Sequence, residues 1–127
     1  MKQILNAAAL AFFLSASSSN AEQHREYHPF FYHEEDLSTI FLDGAIDSMI
    51  LWRFANLLDN VPNVTTIVLN SPGGEVYSAL ILAKQIERMG LHTVVMGQCH
   101  SACAFLYFAG ANRTVAAGTV GVHQISS

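Results

Sequence analysis

Apolar and polar positions change rhythm several times along this chain. From Ser38, STIFLDGAI is rich in β-formers and predicts a strand, with Gly44 as a bend or bulge. Asp47 then offers an N-cap for a helix across SMILWRFANLLDN, where Ile50, Phe54, Leu57 and Leu58 share one stripe. Pro62 punctuates the exit. VTTIVLN, residues 64–70, predicts a second strand, apolar enough to be buried on both faces. SPGG turns the chain into EVYSALILAKQIERM, residues 75–89, a helix with Glu75 in its first turn and Arg88 in its last. Gly90 suits the position just past its end. HTVVMG predicts a third strand, and a further helix should run from near Ser101 to near Gly110. RTVAAG and TVGVHQI read as two more short strands.

Strands alternating with helices over short connections predict an α/β domain with a largely parallel sheet. In such sheets sites gather outside the carboxyl ends of the strands. Three segments are expected there: Asn70 to Gly74, Gly97 to Ser101, and His123.

The start of the chain has a different character. Lys2, the apolar run Ile4 to Leu14, and the small residues Ser19 and Ala21 form a secretory signal pattern, with cleavage expected after Ala21. The run falls short of the roughly 20 residues that span a bilayer. Residues 22–37, EQHREYHPFFYHEEDL, read as a polar and aromatic N-terminal arm or edge segment. His24 and His28 have metal-ligand spacing for a helix, but Pro29 argues against a helix there. The expected organisation is therefore a signal peptide (1–21), an arm (22–37) and one domain (38–127).

Export places the product in the periplasm or outside the cell, with no stable membrane anchor after cleavage. It also puts Cys99 and Cys103 in an oxidising compartment. One of the six bases is Lys2, so the remainder sets ten acids against five bases. No basic cluster is left to neutralise phosphates, which argues against nucleic acid as a partner. Apolar residues make up 51% of the chain, enough for a core at this size.

GQCHSACAFLYFAG concentrates the candidate chemistry. A metal on Cys99, His100 and Cys103 would have three donors where a closed zinc site needs four, so no metal is expected. Cys99 could be a nucleophile beside a helix start. A Cys99–Cys103 disulfide is open on spacing, since residues four apart on a helix lie about 6 Å apart; two buried thiols are equally open. Ser101 is the stronger nucleophile candidate. It follows a strand and opens a helix, where backbone N–H groups favour a developing anion. A lone serine in that place is usually just an N-cap. The glycine pair of NSPGGE adds backbone donors at a strand end, and GVHQ supplies His123, the only histidine after Ser101.

FLDGAI, IVLNSPGGEVYSALILAKQI, GQCHSACAFLYFAGANRTV and GVHQ stand in the order and spacing of the Clp protease proteolytic subunits. The sequence resembles that family, nearest to its exported bacterial relatives, over about residues 38–125. The resemblance implies a Clp/crotonase-like spiral of β-β-α units with a mostly parallel sheet, incomplete at the C-terminus. It implies Ser101 as nucleophile, His123 as general base, and the backbone N–H groups of Gly74 and Ala102 as oxyanion hole. Ser71, Pro72, Gly73, Glu75 and Val76 would meet an extended peptide by strand addition.

Two departures qualify these expectations. The family's third triad member is an aspartate well beyond the histidine, whereas here no Asp or Glu follows Glu87. The sequence is accordingly expected to be C-terminally truncated relative to the family. The signal peptide is the other departure, since an exported protein has no ATP supply, and no ATP-driven unfoldase is expected as partner. The resemblance thus implies a serine endopeptidase without cofactor, acting on peptides or unfolded protein as a homo-oligomer. The alternative is an impaired pseudo-peptidase serving as a peptide-binding or oligomerising module. A crotonase-like acyl-CoA enzyme is disfavoured by export and by the shortage of acids near the motifs.

Overall fold

The computed structural model describes residues 26–122. Within them the chain runs β1 (Phe30–His33), β2 (Asp36–Asp43), α1 (Ile50–Leu58), β3 (Thr66–Ser71), α2 (Val76–Met89), β4 (His92–His100), α3 (Cys103–Phe108) and β5 (Arg113–Gly121). The strands form one sheet in the order β1-β2-β3-β4-β5. β1 is antiparallel to β2, and every later pair is parallel. Each parallel step therefore moves one place in the same direction. Right-handed crossovers then put all three helices on one face, and α2 packs against both α1 and α3.

The core fills the space between that face and the helices. Ile40, Leu42, Ile67, Leu69 and Val95 meet Ile50, Phe54, Leu57, Leu82, Ile86 and Leu106, all fully or almost fully buried. Alternation in β2 sends Ile40 and Leu42 inward and Phe41 to the other face, where Phe31 stacks on it at 4.8 Å. β3 is central, so Ile67, Val68 and Leu69 are buried in succession.

Local chemistry sets the ends of α2. Both oxygens of the Glu75 carboxylate accept backbone N–H groups, from Tyr77 (3.0 Å) and Ser78 (2.9 Å). At the other end Gly90 is left-handed, with φ 65. Its N–H donates to the carbonyl of Glu87, and that of Leu91 to the carbonyl of Ile86, which is a Schellman closure. No helix among the described residues is long and apolar enough to cross a membrane.

Several expected boundaries move. Glu75 is the N-cap of α2 and not a residue of its first turn, because its side chain reaches back over the open N–H groups. Asp47 accepts the N–H of Met49, and the helical backbone starts only at Ile50. The segment read as an arm or edge segment contains edge strand β1, held by Phe30, which is buried against Phe54 at 5.5 Å. The helix expected over Ser101 to Gly110 is the shorter α3, and the strand expected to end at Gly97 continues to His100. The two short strands expected after Arg113 are one, β5. Gly118 does not end it; at φ 93 it lets β5 pass Gly97, whose carbonyl oxygen would lie 1.5 Å from any Cβ there. β1, β2 and α1 make one β-β-α unit; each later step has one strand and one helix.

Candidate active site

The site is built where β2, β3 and β4 end. β4 is irregular here: Leu69 pairs with Val95, yet Ser71 pairs with Cys99. The surplus residues of β4 form a bulge that bends the strand end toward the turn after β3. Asn70 fills it. Its Oδ1 accepts the N–H of Gln98 at 3.0 Å, and its Nδ2 donates to Asp43 at 2.9 Å. A Cβ on Gly97 would fall 2.4 Å from that Oδ1, so the bulge needs glycine.

The turn after β3 is shaped by its own side chains and by Ile46. Ser71 is fully buried, and its Oγ accepts the N–H of Gly73 at 3.1 Å. Ile46 donates to the carbonyl of Gly73 (2.9 Å) and accepts the N–H of Glu75 (2.8 Å). This parallel bridge occupies one edge of the segment. The N–H and carbonyl of Gly74 belong to the opposite edge, the side on which an extended chain could pair.

Ser101 stands directly over this turn. A Cβ on Gly73 would lie 2.6 Å from the carbonyl oxygen of His100, and 2.9 Å from both the Ala102 nitrogen and the Ser101 Cβ. Ser101 itself has φ 54, the only positive φ outside glycine among the described residues. A left-handed backbone costs an L-residue about 1–2 kcal/mol, so its surroundings must hold it. Its N–H donates to the carbonyl of Gly121 at 2.9 Å, and its carbonyl accepts the N–H of Ala104 at 3.0 Å. Ala102 follows in the opening turn of α3, where backbone donors have no acceptor inside the helix. The turn thus places Ser101 between a strand and a helix, with its Cβ and the Ala102 nitrogen beside Gly73.

Cys99 and Cys103 are joined by a disulfide, with Cα atoms 5.1 Å apart. This takes both sulfurs from the thiolate form that a metal or a cysteine nucleophile requires. Among the described residues no three His, Cys, Asp or Glu side chains are grouped to hold a metal. His24, one of the pair read with metal-ligand spacing, lies outside the described residues.

His100, although adjacent to Ser101, turns to β5, where its Nε2 is 2.9 Å from the Thr119 hydroxyl. His123 lies outside the described residues; in sequence it stands two places after Gly121. Glu75 is the acid in the motif itself. Hydrogen bonds from Ser78 and Tyr77 hold its carboxyl below the ordinary carboxylate range, so it stays ionised and turned into its helix. Pro72 and Val76 flank the turn. Sequence reasoning did not single out Ile46, Thr119 or Gly121, because only pairing in space reveals them. Asn70 carried a signal, as a polar residue ending an apolar strand.

A profile of the Clp protease family matches residues 35–126, from before β2 through the segment that contains His123. The chain belongs to the Clp protease family. No curated protein matches the chain well enough to name a nearer relative. The Clp assignment agrees with the mixed α/β architecture and its mostly parallel five-stranded sheet. A Clp protease domain points to a peptidase.

Proposed function

We propose that this Clp-family chain is an exported serine peptidase in which Ser101 attacks the peptide carbonyl. The observation that carries this reading is the strained Ser101 turn seated on Gly73, with the Ala102 nitrogen at the same place. His123 takes the serine proton and returns it to the leaving amine. The N–H groups of Gly74 and Ala102 hold the oxyanion that forms in between. The substrate is an extended peptide or unfolded protein, paired with the free edge at Gly74. The disulfide supports export, because such bridges persist in oxidising compartments. Exposed apolar side chains on α2 and α3, among them Tyr77, Leu80 and Phe108, support assembly into a homo-oligomer.

Fluorophosphonate labelling tests the nucleophile. Wild type is expected to label at Ser101, Ser101→Ala not at all, and His123→Ala roughly a thousandfold more slowly. Equal labelling of wild type and Ser101→Ala sinks the proposal. Peptide binding that persists in Ser101→Ala, with no labelling of wild type, would instead identify a non-hydrolytic peptide-binding module. Export is checked by N-terminal sequencing of the mature protein, expected to begin at Glu22.

A further inference from the structure

We propose that the Cys99–Cys103 disulfide is a positioning element for the nucleophile turn: it holds Ser101 left-handed and thereby fixes the Ala102 N–H. This rests on Ser101 being the nucleophile. The argument begins with what the bridge encloses. It joins the residues two before and two after Ser101, so the one strained non-glycine residue is the middle of the loop. Four residues in an extended chain would separate the two Cα atoms by about 13 Å. The bridge holds them at 5.1 Å, so the chain must reverse between them.

Both ends of the bridge are anchored. Cys99 is a strand residue, in register with Ser71 on one side and Val120 on the other. Cys103 is the first residue of α3. Both are fully buried. The bridge therefore ties the end of a central strand to the start of a helix through the core. That helix has six residues, well below the roughly 12 at which a helix begins to be stable alone, so its first turn gains its order from what it is attached to.

Without the bridge, the turn depends on hydrogen bonds from Ser101 to Gly121, from Ala104 to Ser101 and from Phe105 to Ala102. The first of these reaches to an edge strand. Freed of the covalent tie, Ser101 can relax to negative φ. That rotates the Ala102 N–H away from Gly74 and the serine hydroxyl away from the bound carbonyl. Because both sulfurs are buried, the tie is a permanent brace in the folded protein and not a redox switch.

The full-length protein refolded under reducing conditions provides the test, since it keeps every side chain and loses only the S–S bond. Cys99→Ala/Cys103→Ala is the second form. Three quantities are compared with the oxidised protein: the fluorophosphonate labelling rate at Ser101, hydrogen exchange of the Ser101–Ala104 amides, and exchange in β3. The reduced form is expected to label about tenfold more slowly and to exchange about tenfold faster at 101–104, with β3 unchanged and reoxidation restoring both. Unchanged labelling and exchange in the reduced form would overturn the proposal. So would loss of protection throughout the sheet in both forms, which would make the bridge a general stabiliser. If the oxidised protein does not label at all, the serine-peptidase reading fails. The brace is then decided by exchange alone: a loss of protection confined to 101–104 supports it, and no change overturns it.

Discussion

Gly73 and Ser101 each need the other's backbone where it is. Gly73 has φ 99, and a Cβ on it would enter the space of His100, Ser101 and Ala102. Gly73→Ala is expected to destabilise the fold by about 1–3 kcal/mol and to abolish labelling of Ser101, as read by denaturant unfolding and fluorophosphonate. Ser101 is the reverse case, a side chain kept where glycine would be easier. Ser101→Gly is expected to be more stable than Ser101→Ala by about 1 kcal/mol, because only glycine occupies a left-handed backbone without steric cost. Equal unfolding midpoints would show that the turn is not strained. Glu75 makes a prediction about pH. Its folded carboxyl is held low by hydrogen bonds from Ser78 and Tyr77, so its cap is fully effective above the ordinary carboxylate pKa and weakens as pH falls through the lower, folded value. The stability gap between wild type and Glu75→Gln should therefore narrow on acidification; a constant gap would show that the carboxylate charge is irrelevant. The serine and the glycine pair were legible because each is an unusual residue at a strand end. The roles of Ser71 and Glu75 were not. The Ser71 hydroxyl holds the turn and the Glu75 carboxylate caps a helix, and both partners appear only in space.

Elements were easiest to read where burial follows a simple period. Ile40 and Leu42 alternate with Phe41, Ile67 to Leu69 are buried in a row, and Ile50, Phe54 and Leu57 recur with helical spacing. Phe54 is fully buried at the centre of that stripe, and Phe54→Ala should cost about 3–5 kcal/mol in denaturant unfolding. The later elements were harder because their glycines do not punctuate. Gly97 and Gly118 lie inside strands where backbones approach closely, whereas a sequence reading takes glycine as a break. The bulge in β4 is equally hidden, since it exists only relative to the register of β3. Asn70 makes it testable. Asn70→Ala removes the hydrogen bonds it accepts from Gln98 and donates to Asp43 and should cost about 1–2 kcal/mol. Its labelling rate at Ser101 should fall as well, because β4 would no longer be held in its bend. Full labelling in a destabilised Asn70→Ala protein would separate the bulge from the site.

At the scale of the molecule, strand–helix alternation was enough to expect a parallel sheet, and the motifs together pointed to the family. The strict order of the strands was not legible, because hydrophobic pattern carries no information about which strand lies beside which. The outer surface of the helix layer bears on assembly. Tyr77 and Leu80 are three apart on α2 and largely exposed, at 71% and 44%. If that face joins copies, Leu80→Glu should shift sedimentation toward the monomer without lowering the unfolding midpoint. A wild type that sediments as monomer at every concentration would rule assembly out.

Sequential strand order also bears on the timing of folding. Each strand docks beside the one made just before it, so the sheet can grow from β1 toward β5 as the chain emerges, with little waiting for distant partners. The carbonyl that accepts the Ser101 amide belongs to Gly121, at the end of β5, the last strand among the described residues. The Ser101 turn is thus finished only when β5 is in place, and a nascent, half-folded chain does not yet hold it. Pulsed hydrogen exchange during refolding should find β2 and β3 protected before the amide of Ser101.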